Sequence, residues 1–226
     1  MATAVGIANI ALNNLGDRTI TAFSDKTAQA TSCSNRFSDV VNQVLRSHPW
    51  NCMTKRATLA KYDLTPVYLY DYAYVLPSDA LRVVSLKEEE DYDYAWRIEV
   101  VDEGGTDKLA LVTDASSANI RYIRKYIGGT NHDVANSGID LFDPLLVQAI
   151  GLALASEIAM DLTGRSELRD LMLAKYSALL SEARSINAQE GTAKVIESNE
   201  WLNARTQYST GGYFKPFSAS TSGGVE

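Results

Sequence analysis

The residues with the widest choice of chemistry in this 226-residue chain are two histidines and two cysteines, His48, His132, Cys33 and Cys52. The two histidines are far apart in the sequence, and neither has a second histidine four residues away, so the spacing does not predict a zinc site. His48 precedes Pro49 at a predicted helix end, where an imidazole commonly pairs with the helix terminus. We expect His132, in a loop, to be solvated. Cys33 lies on the apolar face of a predicted helix, which favours a buried, unreactive thiol.

Three other groups of residues could bind a ligand. The acidic run Glu88–Asp93 could hold a cation, although a solvated loop is the simpler interpretation. Arg121, Arg124 and Lys125 form a basic cluster that could contact DNA or an acidic neighbour. The alternating tyrosines of Tyr68–Tyr74 fit a stacking platform, but strand packing explains them as well. The hydrolase pattern G-x-S-x-G, the P-loop and the dinucleotide-binding glycines are absent from the sequence. We therefore expect no enzyme, no metal and no cofactor.

Composition limits the classes of function. The formal net charge of −7 and the pI near 4.9 argue against a groove that grips nucleic acid tightly, but they allow DNA to pass without being held. Two cysteines make no disulfide framework, so we expect synthesis in a reducing cytoplasm. The N-terminal Met1–Leu15 has no basic residue before its apolar residues, which favours an amphipathic helix over a signal peptide.

Two consecutive helices between Phe142 and Ala188 organise the chain. Asp143 and Pro144 together predict a helix start. The next residues, Leu145–Leu162, are nearly all apolar, as in a helix that is buried on most faces. Two acidic residues within this stretch argue against a membrane span. Gly164 is expected to end the helix.

The helix that follows is predicted to be capped by Ser166 and to have one apolar face. The residues expected on that face are Leu168, Leu171, Met172, Tyr176, Leu179, Ala183 and Ile186.

Two helices are predicted near the N-terminus. The first covers Thr3–Leu15 and ends at Gly16. The second is predicted to be capped by Asp25 and to end at Ser47–Trp50, because the residue before a proline leaves the helical region. Trp50 is expected to close the end of the bundle. The predicted inner face of the second helix consists of Ala30, Cys33, Phe37, Val40, Val41, Val44 and Leu45.

The sequence from Ala57 to Ile127 has the pattern of strands. A turn is predicted at Leu76–Asp79, a hairpin connection at Asp102–Gly105, and a loop at the acidic residues Glu88–Asp91. The predicted strands are Tyr68–Tyr74, Leu81–Leu86, Trp96–Val101, Leu109–Thr113 and Ile120–Ile127.

The last segment, Gly191–Glu226, is rich in Ser, Thr, Gly and Asn and cannot form a core of its own. Its aromatic residues are spaced as separate anchors, which predicts a docking arm that becomes ordered on a partner. These anchors are Trp201, Tyr208, Tyr213, Phe214 and Phe217. An arm that packs on its own subunit is the alternative.

These patterns together predict an α+β protein. An antiparallel helical bundle is built from both ends of the chain, with a small antiparallel β domain inserted and an extended C-terminal arm added. The expected boundaries are 1–56 and 128–190 for the bundle, 57–127 for the β domain and 191–226 for the arm.

Several motifs, in this order, resemble one family. The first two are Ala11–Gly16 followed by Ile20, and the helix end Arg46–Trp50. Next come Tyr74–Val83, then Tyr122 with Ile123, and finally Phe142–Pro144 with the Ala/Leu-rich helix. Together they resemble the tail tubular protein A family, the head-to-tail adaptors of short-tailed bacteriophages. The likeness extends from Ile7 to Ala188. The tail that begins with Ser198–Trp201 is similar to the C-terminal arm of some phage adaptors.

The resemblance implies a structural connector. It implies a homo-oligomeric ring, with a dodecamer as the expected size, located beneath the portal protein in the neck of the virion after synthesis in the host cytoplasm. DNA would pass through its centre without tight binding, and no membrane would be involved. The helical part would meet the portal and neighbouring subunits, and the β insertion would face the tail tube or nozzle protein.

A second hypothesis from another class stays open: a small hydrolase or ligand-binding module with a site between the β domain and the helices. A connector should form rings with a portal and lack turnover, which separates the two.

Overall fold

The structure, a computed structural model, describes residues 2–66, 68–87, 94–129, 131–132 and 137–190. Met1–Glu190 forms one compact unit. The predicted arm Gly191–Glu226 and the predicted acidic loop Glu88–Asp91 lie outside the described residues. The helices are α1 (Ala4–Leu15), α2 (Ala28–Ser47), α3 (Pro144–Thr163) and α4 (Ser166–Gln189). The strands are β1 (Thr54–Thr58), β2 (Tyr72–Val75), β3 (Ala80–Lys87), β4 (Trp96–Asp102), β5 (Asp107–Thr113) and β6 (Asn119–Arg124). The predicted α+β class is confirmed.

Helix α3 is the central helix, as the sequence predicts. The Asp143 carboxylate accepts a hydrogen bond from the backbone N–H of Leu145 at 2.8 Å, and Pro144 occupies the first turn. Gly164, with φ of 66°, ends the helix. Because α1, α2 and α4 all pack against α3, most of its residues are buried. By length and apolar composition, α3 is the one described helix that would suffice to cross a membrane, but it is mostly buried inside the helical layer.

Helices α1 and α3 approach each other closely at Gly151. A Cβ atom added to this glycine would lie 2.6 Å from the Cγ2 atom of Ile10, which is less than van der Waals contact. The absence of a side chain at this position therefore sets the separation of the two helices.

Helix α2 has the predicted inner face, and every residue of that face is buried. Its predicted cap is wrong. Thr27 caps the helix by accepting a hydrogen bond from the N–H of Ala30 at 3.2 Å. The Asp25 carboxylate instead accepts hydrogen bonds from Thr21 and Ala22 and closes the preceding loop, which lowers its pKa.

Helix α4 differs from prediction at its start and on its surface. Ser166 is its first residue and not its cap, and the capping position, held by Arg165, makes no side-chain hydrogen bond. The connection after Gly164 is a single residue, which leaves no separate position for a serine cap. Two residues predicted for the inner face, Leu171 and Ile186, are 49% and 40% exposed.

The six strands form two antiparallel sheets with the orders β1-β6-β3 and β2-β5-β4. We call these the first and the second sheet. One face of each contributes to a shared apolar core that includes Tyr74, Leu86, Leu111, Ile120 and Tyr122. The two sheets therefore form a small sandwich.

The opposite face of the first sheet meets the helices at one end. There Ile123 is fully buried in the core formed by the four helices. The second sheet is covered on its other face by the loop before β2, which contributes Tyr62 and Tyr70.

Three predicted strand boundaries require correction. The alternation at Tyr68–Tyr74 forms a strand only over Tyr72–Val75; Tyr68 is 81% exposed, and Leu69 has a positive φ of 75°, which extended backbone does not allow. The last strand ends at Arg124, before the predicted Ile127. The chain also enters the sheet earlier than Ala57, because Thr54 already pairs with Ile123.

The predicted hairpin between the fourth and fifth strands is confirmed. β4 pairs with β5 in antiparallel register from Trp96 opposite Thr113 to Asp102 opposite Asp107. The Asp102 side chain accepts a hydrogen bond from the N–H of Gly105 at 2.7 Å, and the two turn glycines have positive φ.

Candidate functional site

The structure separates the predicted basic cluster into different environments. Arg121 is exposed on the outer face of the first sheet. Arg124 turns to the sandwich side, where its Nε lies 3.6 Å from the Asp79 carboxylate. Lys125 follows the strand end and is exposed, and its backbone N–H donates to the Asp79 carbonyl at 2.7 Å. Successive residues of a strand point to opposite faces, so the three basic side chains do not form one patch.

The carboxylate of Asp79 is the common contact of several side chains in this region. Its carboxylate accepts a hydrogen bond from the Tyr122 hydroxyl at 2.9 Å and lies 3.4 Å from the Lys55 Nζ, in addition to Arg124. Burial, and then the hydrogen bond to Asp79, raise the pKa of Tyr122 to about 12. Arg124 is therefore engaged by residues of its own chain.

Arg121 has other basic neighbours that the sequence does not reveal. Arg56 on β1 lies directly opposite Arg121 on β6, and Arg82 on β3 lies opposite Ile123, which faces the same side as Arg121. Arg46, from the end of α2, reaches across to donate to the Leu81 carbonyl. We call Arg46, Arg56, Arg82 and Arg121 the arginine strip. All four are exposed.

Two of the four arginines in the strip, Arg46 and Arg82, hydrogen-bond to backbone carbonyls of the same chain. Arg46 donates to the Leu81 carbonyl at 2.6 Å, and Arg82 donates to the Arg46 carbonyl at 3.2 Å, so α2 and β3 hold each other through two arginines. Arg56 and Arg121 make neither a hydrogen bond through their side chains nor an ion pair with any other described residue.

His48 lies at the junction of the helices and the first sheet. Its Nε2 lies 3.0 Å from the Nδ2 of Asn187, and its ring packs edge-on against Trp50. The predicted position at the end of α2 is confirmed. Burial, together with the charges of Arg184 and Arg82, lowers the pKa of His48. A neutral imidazole that accepts from the Asn187 amide fits this environment.

Asn51 and Asn187 join the start of the β region to the end of α4. The Asn51 N–H donates to the Asn187 side-chain oxygen at 3.0 Å, and the Asn51 Nδ2 donates to the Asn187 carbonyl at 2.8 Å. The same Nδ2 also donates to the Glu190 carboxylate at 3.2 Å. We call this set of bonds the asparagine clasp. It fixes the last described turn of the chain.

His132 is not solvated, contrary to the prediction. It is only 7% exposed, and its ring lies against Phe23 and Phe37 at centroid distances of 4.5 and 4.9 Å. Its Nε2 lies 3.2 Å from the Ser34 carbonyl, and its Nδ1 lies 3.4 Å from the Tyr126 hydroxyl. This histidine anchors the loop after β6 to α2.

Cys33 is buried on the inner face of α2, as predicted, and Cys52 is partly buried. Burial raises the pKa of Cys33 to about 12, and burial also raises that of Cys52. Within the part of the chain that the structure describes, no three His, Cys, Asp or Glu side chains lie together as metal ligands would.

One groove lies between α2, α3 and α4. It has a volume of about 60 Å³ and is lined by Gln43, Glu157 and Tyr176 among other residues. It is therefore located within the helical layer, whereas the hydrolase hypothesis places its site between the helices and the β domain.

Apolar side chains are exposed on one strand hairpin and on one helical hairpin. The hairpin surface consists of Ile98, Val100 and Leu109, which share one face of β4 and β5; Val100 and Leu109 are directly opposite and are each 60% exposed. On the α3–α4 hairpin, the apolar residues Met160, Leu171, Leu173 and Ile186 are each 40–49% exposed. They do not share one face, because Leu171 and Leu173 are two positions apart and lie on different sides of α4.

Comparison of the sequence with known families and curated proteins found no relative. No family model matches the chain, and no curated protein matches it.

The sequence analysis identified Arg121 as a candidate but did not predict that Arg46, Arg56 and Arg82 lie near it. The segment Thr54–Thr58, which contains Arg56, resembles a loop because its only apolar residue is Ala57. Its role as an edge strand depends on pairing with β6, more than sixty positions later in the chain.

Proposed function

We propose that this chain is a subunit of the head-to-tail connector ring of a short-tailed bacteriophage. The ordered motifs that resemble tail tubular protein A support the proposal, because they fall on successive elements of the structure. The helix-end motif Arg46–Trp50 closes α2, Tyr74–Val83 spans the turn between β2 and β3, and Phe142–Pro144 starts the central helix.

The observation that carries the proposal is the exposed apolar hairpin surface on one compact unit. A closed ring needs a heterologous interface, in which one surface of each subunit binds a different surface of the next. The hairpin surface would form one side of this interface, and exposed apolar residues of the helical part, such as Leu171 of α4, would contribute to the other side. Burial of exposed Val and Leu side chains supplies the main driving force for association.

The other roles follow from the proposal. The helical part would contact the portal protein and neighbouring subunits, and the β sandwich would face the tail tube or nozzle protein. The arm residues Trp201, Tyr208, Tyr213, Phe214 and Phe217 would dock on the portal or on a neighbour. DNA would pass a ring of predominantly acidic subunits, and like charge would keep it from sticking.

The test is assembly. The purified protein, mixed with the portal protein encoded in the same genome, is expected to form rings on the portal that negative-stain imaging and mass photometry detect. Replacing two hairpin-surface residues, Val100→Glu and Leu109→Glu, should prevent ring closure with little change in melting temperature, because both side chains are largely exposed. Glu99→Lys, on the same strand but the opposite face, is the matched control and should assemble normally. A protein that stays monomeric with the portal would contradict the proposal.

A further inference from the structure

Strand β4 is an edge strand of the second sheet, whose order is β2-β5-β4. β5 occupies one side of β4, and no described strand pairs with the other side. The four consecutive residues Arg97–Val100 are exposed. An open edge presents a row of backbone N–H and C=O groups, so it is a template for pairing with another strand.

The turn of the hairpin determines which backbone groups of β4 point outward. Glu103 and Thr106 exchange two backbone hydrogen bonds of 3.0 and 3.3 Å across the turn. Hydrogen-bonded and non-hydrogen-bonded pairs alternate along an antiparallel ladder. Arg97, Glu99 and Val101 therefore bond to β5, whereas the residues between them turn their N–H and C=O groups to the open edge. These outward residues are Trp96, Ile98, Val100 and Asp102.

The other three edges of the described sheets each have a feature that disfavours pairing with a second copy. The outer side of β2 is occupied by the loop before it, since the N–H of Val75 donates to the Ala60 carbonyl at 2.8 Å. The pairing of β3 with β6 contains two register shifts. β1 carries Lys55 and Arg56, whose like charges would repel their counterparts. β4 has neither a proline nor a register shift along its seven residues.

The sequence of β4 is complementary to itself. When two copies pair antiparallel with Ile98 opposite Ile98, Arg97 of each copy lies opposite Glu99 of the other, and Trp96 lies opposite Val100. Both charged pairs then join opposite charges, and apolar residues meet apolar residues. Shifting the register by two residues in either direction places Glu99 opposite Glu99 or Arg97 opposite Arg97. Opposite charges therefore favour the register that has Ile98 at its centre.

We propose that two copies of this chain associate about a two-fold axis through their β4 strands, so that two three-stranded sheets become one six-stranded sheet. Ile98 lies at the axis, and its outward backbone groups bond to those of its counterpart. The pairs of Arg97 with Glu99 fall at non-hydrogen-bonded positions, where side chains approach each other most closely. Ile98 and Val100, which are 39% and 60% exposed in the single chain, gain apolar neighbours across the new strand pair.

This contact differs from the contact in the proposed ring. A two-fold contact uses the same surface on both copies and closes at two copies, whereas a ring needs two different surfaces. The inference therefore goes beyond the connector proposal and does not depend on it. Its test uses the full-length protein alone, without a portal.

A cysteine cross-link tests the register. Ile98→Cys places two thiols at the axis, where the Cα atoms of a hydrogen-bonded pair are about 5.5 Å apart, within the range of a disulfide. We expect mild oxidation to convert this variant into a covalent dimer that non-reducing electrophoresis detects. The wild type, in which Cys33 is buried and Cys52 partly buried, gives the background.

Leu109→Cys is the matched control for the cross-link. Leu109 lies on the same apolar face and is 60% exposed, but it belongs to β5. In the paired sheet its two copies are three strand spacings apart, at least about 14 Å, which no disulfide spans. This variant should therefore stay uncrosslinked.

Charge exchange tests the same contact in solution. Arg97→Glu places a glutamate opposite Glu99, and Glu99→Lys places a lysine opposite Arg97, so each variant alone has two like-charge pairs per dimer. Sedimentation equilibrium of the wild type should show a species of twice the chain mass of 24.7 kDa, and the dimer Kd of each variant should rise at least about tenfold. A one-to-one mixture should restore dimers, because every heterodimer has opposite charges at both pairs.

Two further variants control for general effects of charge. Arg169→Glu and Glu182→Lys make the same changes at exposed positions of α4 and should dimerise as the wild type does. Circular dichroism shows that each variant is folded.

Three results would overturn the inference. A wild type that sediments as a monomer at all concentrations does not pair through β4. A wild-type dimer that Arg97→Glu and Glu99→Lys leave unchanged is held by another surface. Cross-linking through Leu109→Cys, and not through Ile98→Cys, would show that two hairpins pack face to face instead of edge to edge. None of these results bears on the connector proposal, which is tested by rings on the portal.

Discussion

His48 shows how the environment of one side chain sets the pH dependence of stability. Its pKa in the folded chain is below the ordinary value of 6.5, because burial and two nearby guanidinium groups disfavour the charged form. In the unfolded chain the imidazole takes up a proton as pH falls below about 6.5, while the folded chain resists. The stability that His48 contributes is therefore fully present above that pH and is lost as pH falls through the lowered pKa.

We expect His48→Gln to reduce this pH dependence. Glutamine keeps an acceptor for the Asn187 amide but cannot take up a proton. Between pH 7.5 and pH 5, the melting temperature of the wild type should fall more than that of the variant, as followed by circular dichroism. A matched substitution of an exposed residue, Arg97→Gln, should keep the wild-type profile. Parallel profiles for the wild type and His48→Gln would contradict the assignment.

At the same scale, the sequence predicted the burial of Cys33 but not of His132. Cys33 belongs to an apolar face that recurs with helical spacing, so its environment is encoded locally. His132 is buried by Phe23, Phe37 and Ser34, which are nearly a hundred residues away in the chain. No local pattern predicts a contact between a loop and a distant helix.

Helix α3 is the element against which the other three helices pack, and one substitution tests this central position. Leu154 is fully buried, so Leu154→Asp would place an unpaired charge in the core. We expect a loss of about 4 kcal/mol or more, enough to unfold most of the protein at 37 °C. Leu171→Asp changes the same residue type on α4 at a position that is 49% exposed, and it should cost less than about 1 kcal/mol. Urea unfolding measures both, and equal effects would show that α3 is not central.

The crossing of α1 and α3 gives a second prediction. Alanine is a better helix former than glycine by about 1 kcal/mol, so Gly151→Ala would stabilise an isolated helix. In the protein we expect a net loss of about 1–3 kcal/mol, because the new methyl group would overlap Ile10. The cost should shrink in the background of Ile10→Ala, which removes the overlapping atom. Denaturant unfolding of the four proteins of this double-mutant cycle measures the coupling, and additive effects would exclude the close contact.

At the scale of elements, most helices and strands follow from sequence, and their exceptions have physical causes. The pattern of apolar residues is clear enough in the sequence to predict α2, α3 and the β4–β5 hairpin. The edge strand β1 has little apolar alternation and exists because β6 pairs with it. Helix α2 is capped by Thr27 and not by the predicted Asp25, because two residues of similar capping ability lie close together and Asp25 forms its hydrogen bonds in the preceding loop.

For the whole molecule, the predicted docking arm gives a test by truncation. A protein ending at Thr192 lacks the five aromatic anchors but keeps all described elements. We expect its melting temperature to stay within about 2 °C of the full-length value, since the removed segment is rich in polar residues and glycine. Its affinity for portal rings should fall by at least about a hundredfold, because aromatic residues dominate interface energies.

Two measurements check this. Calorimetry compares the stability of the two proteins, and mass photometry with the portal compares their docking. A full-length variant with Trp201→Ala and Phe217→Ala is the matched control and should show part of the same loss. If the truncated protein docks with unchanged affinity, the interface lies elsewhere.

The asparagine clasp has a mechanical consequence. A pull on the chain beyond Glu190 would be applied to the last turn of α4, and a helix end held only by its own backbone bonds unravels one bond at a time. Here Asn51 holds Asn187 and Glu190 through three hydrogen bonds, so part of the load passes directly to the segment that joins α2 to the first sheet. Tension from a segment that follows α4 would thus be shared between the helices and the sandwich, and α4 would be protected from fraying under load.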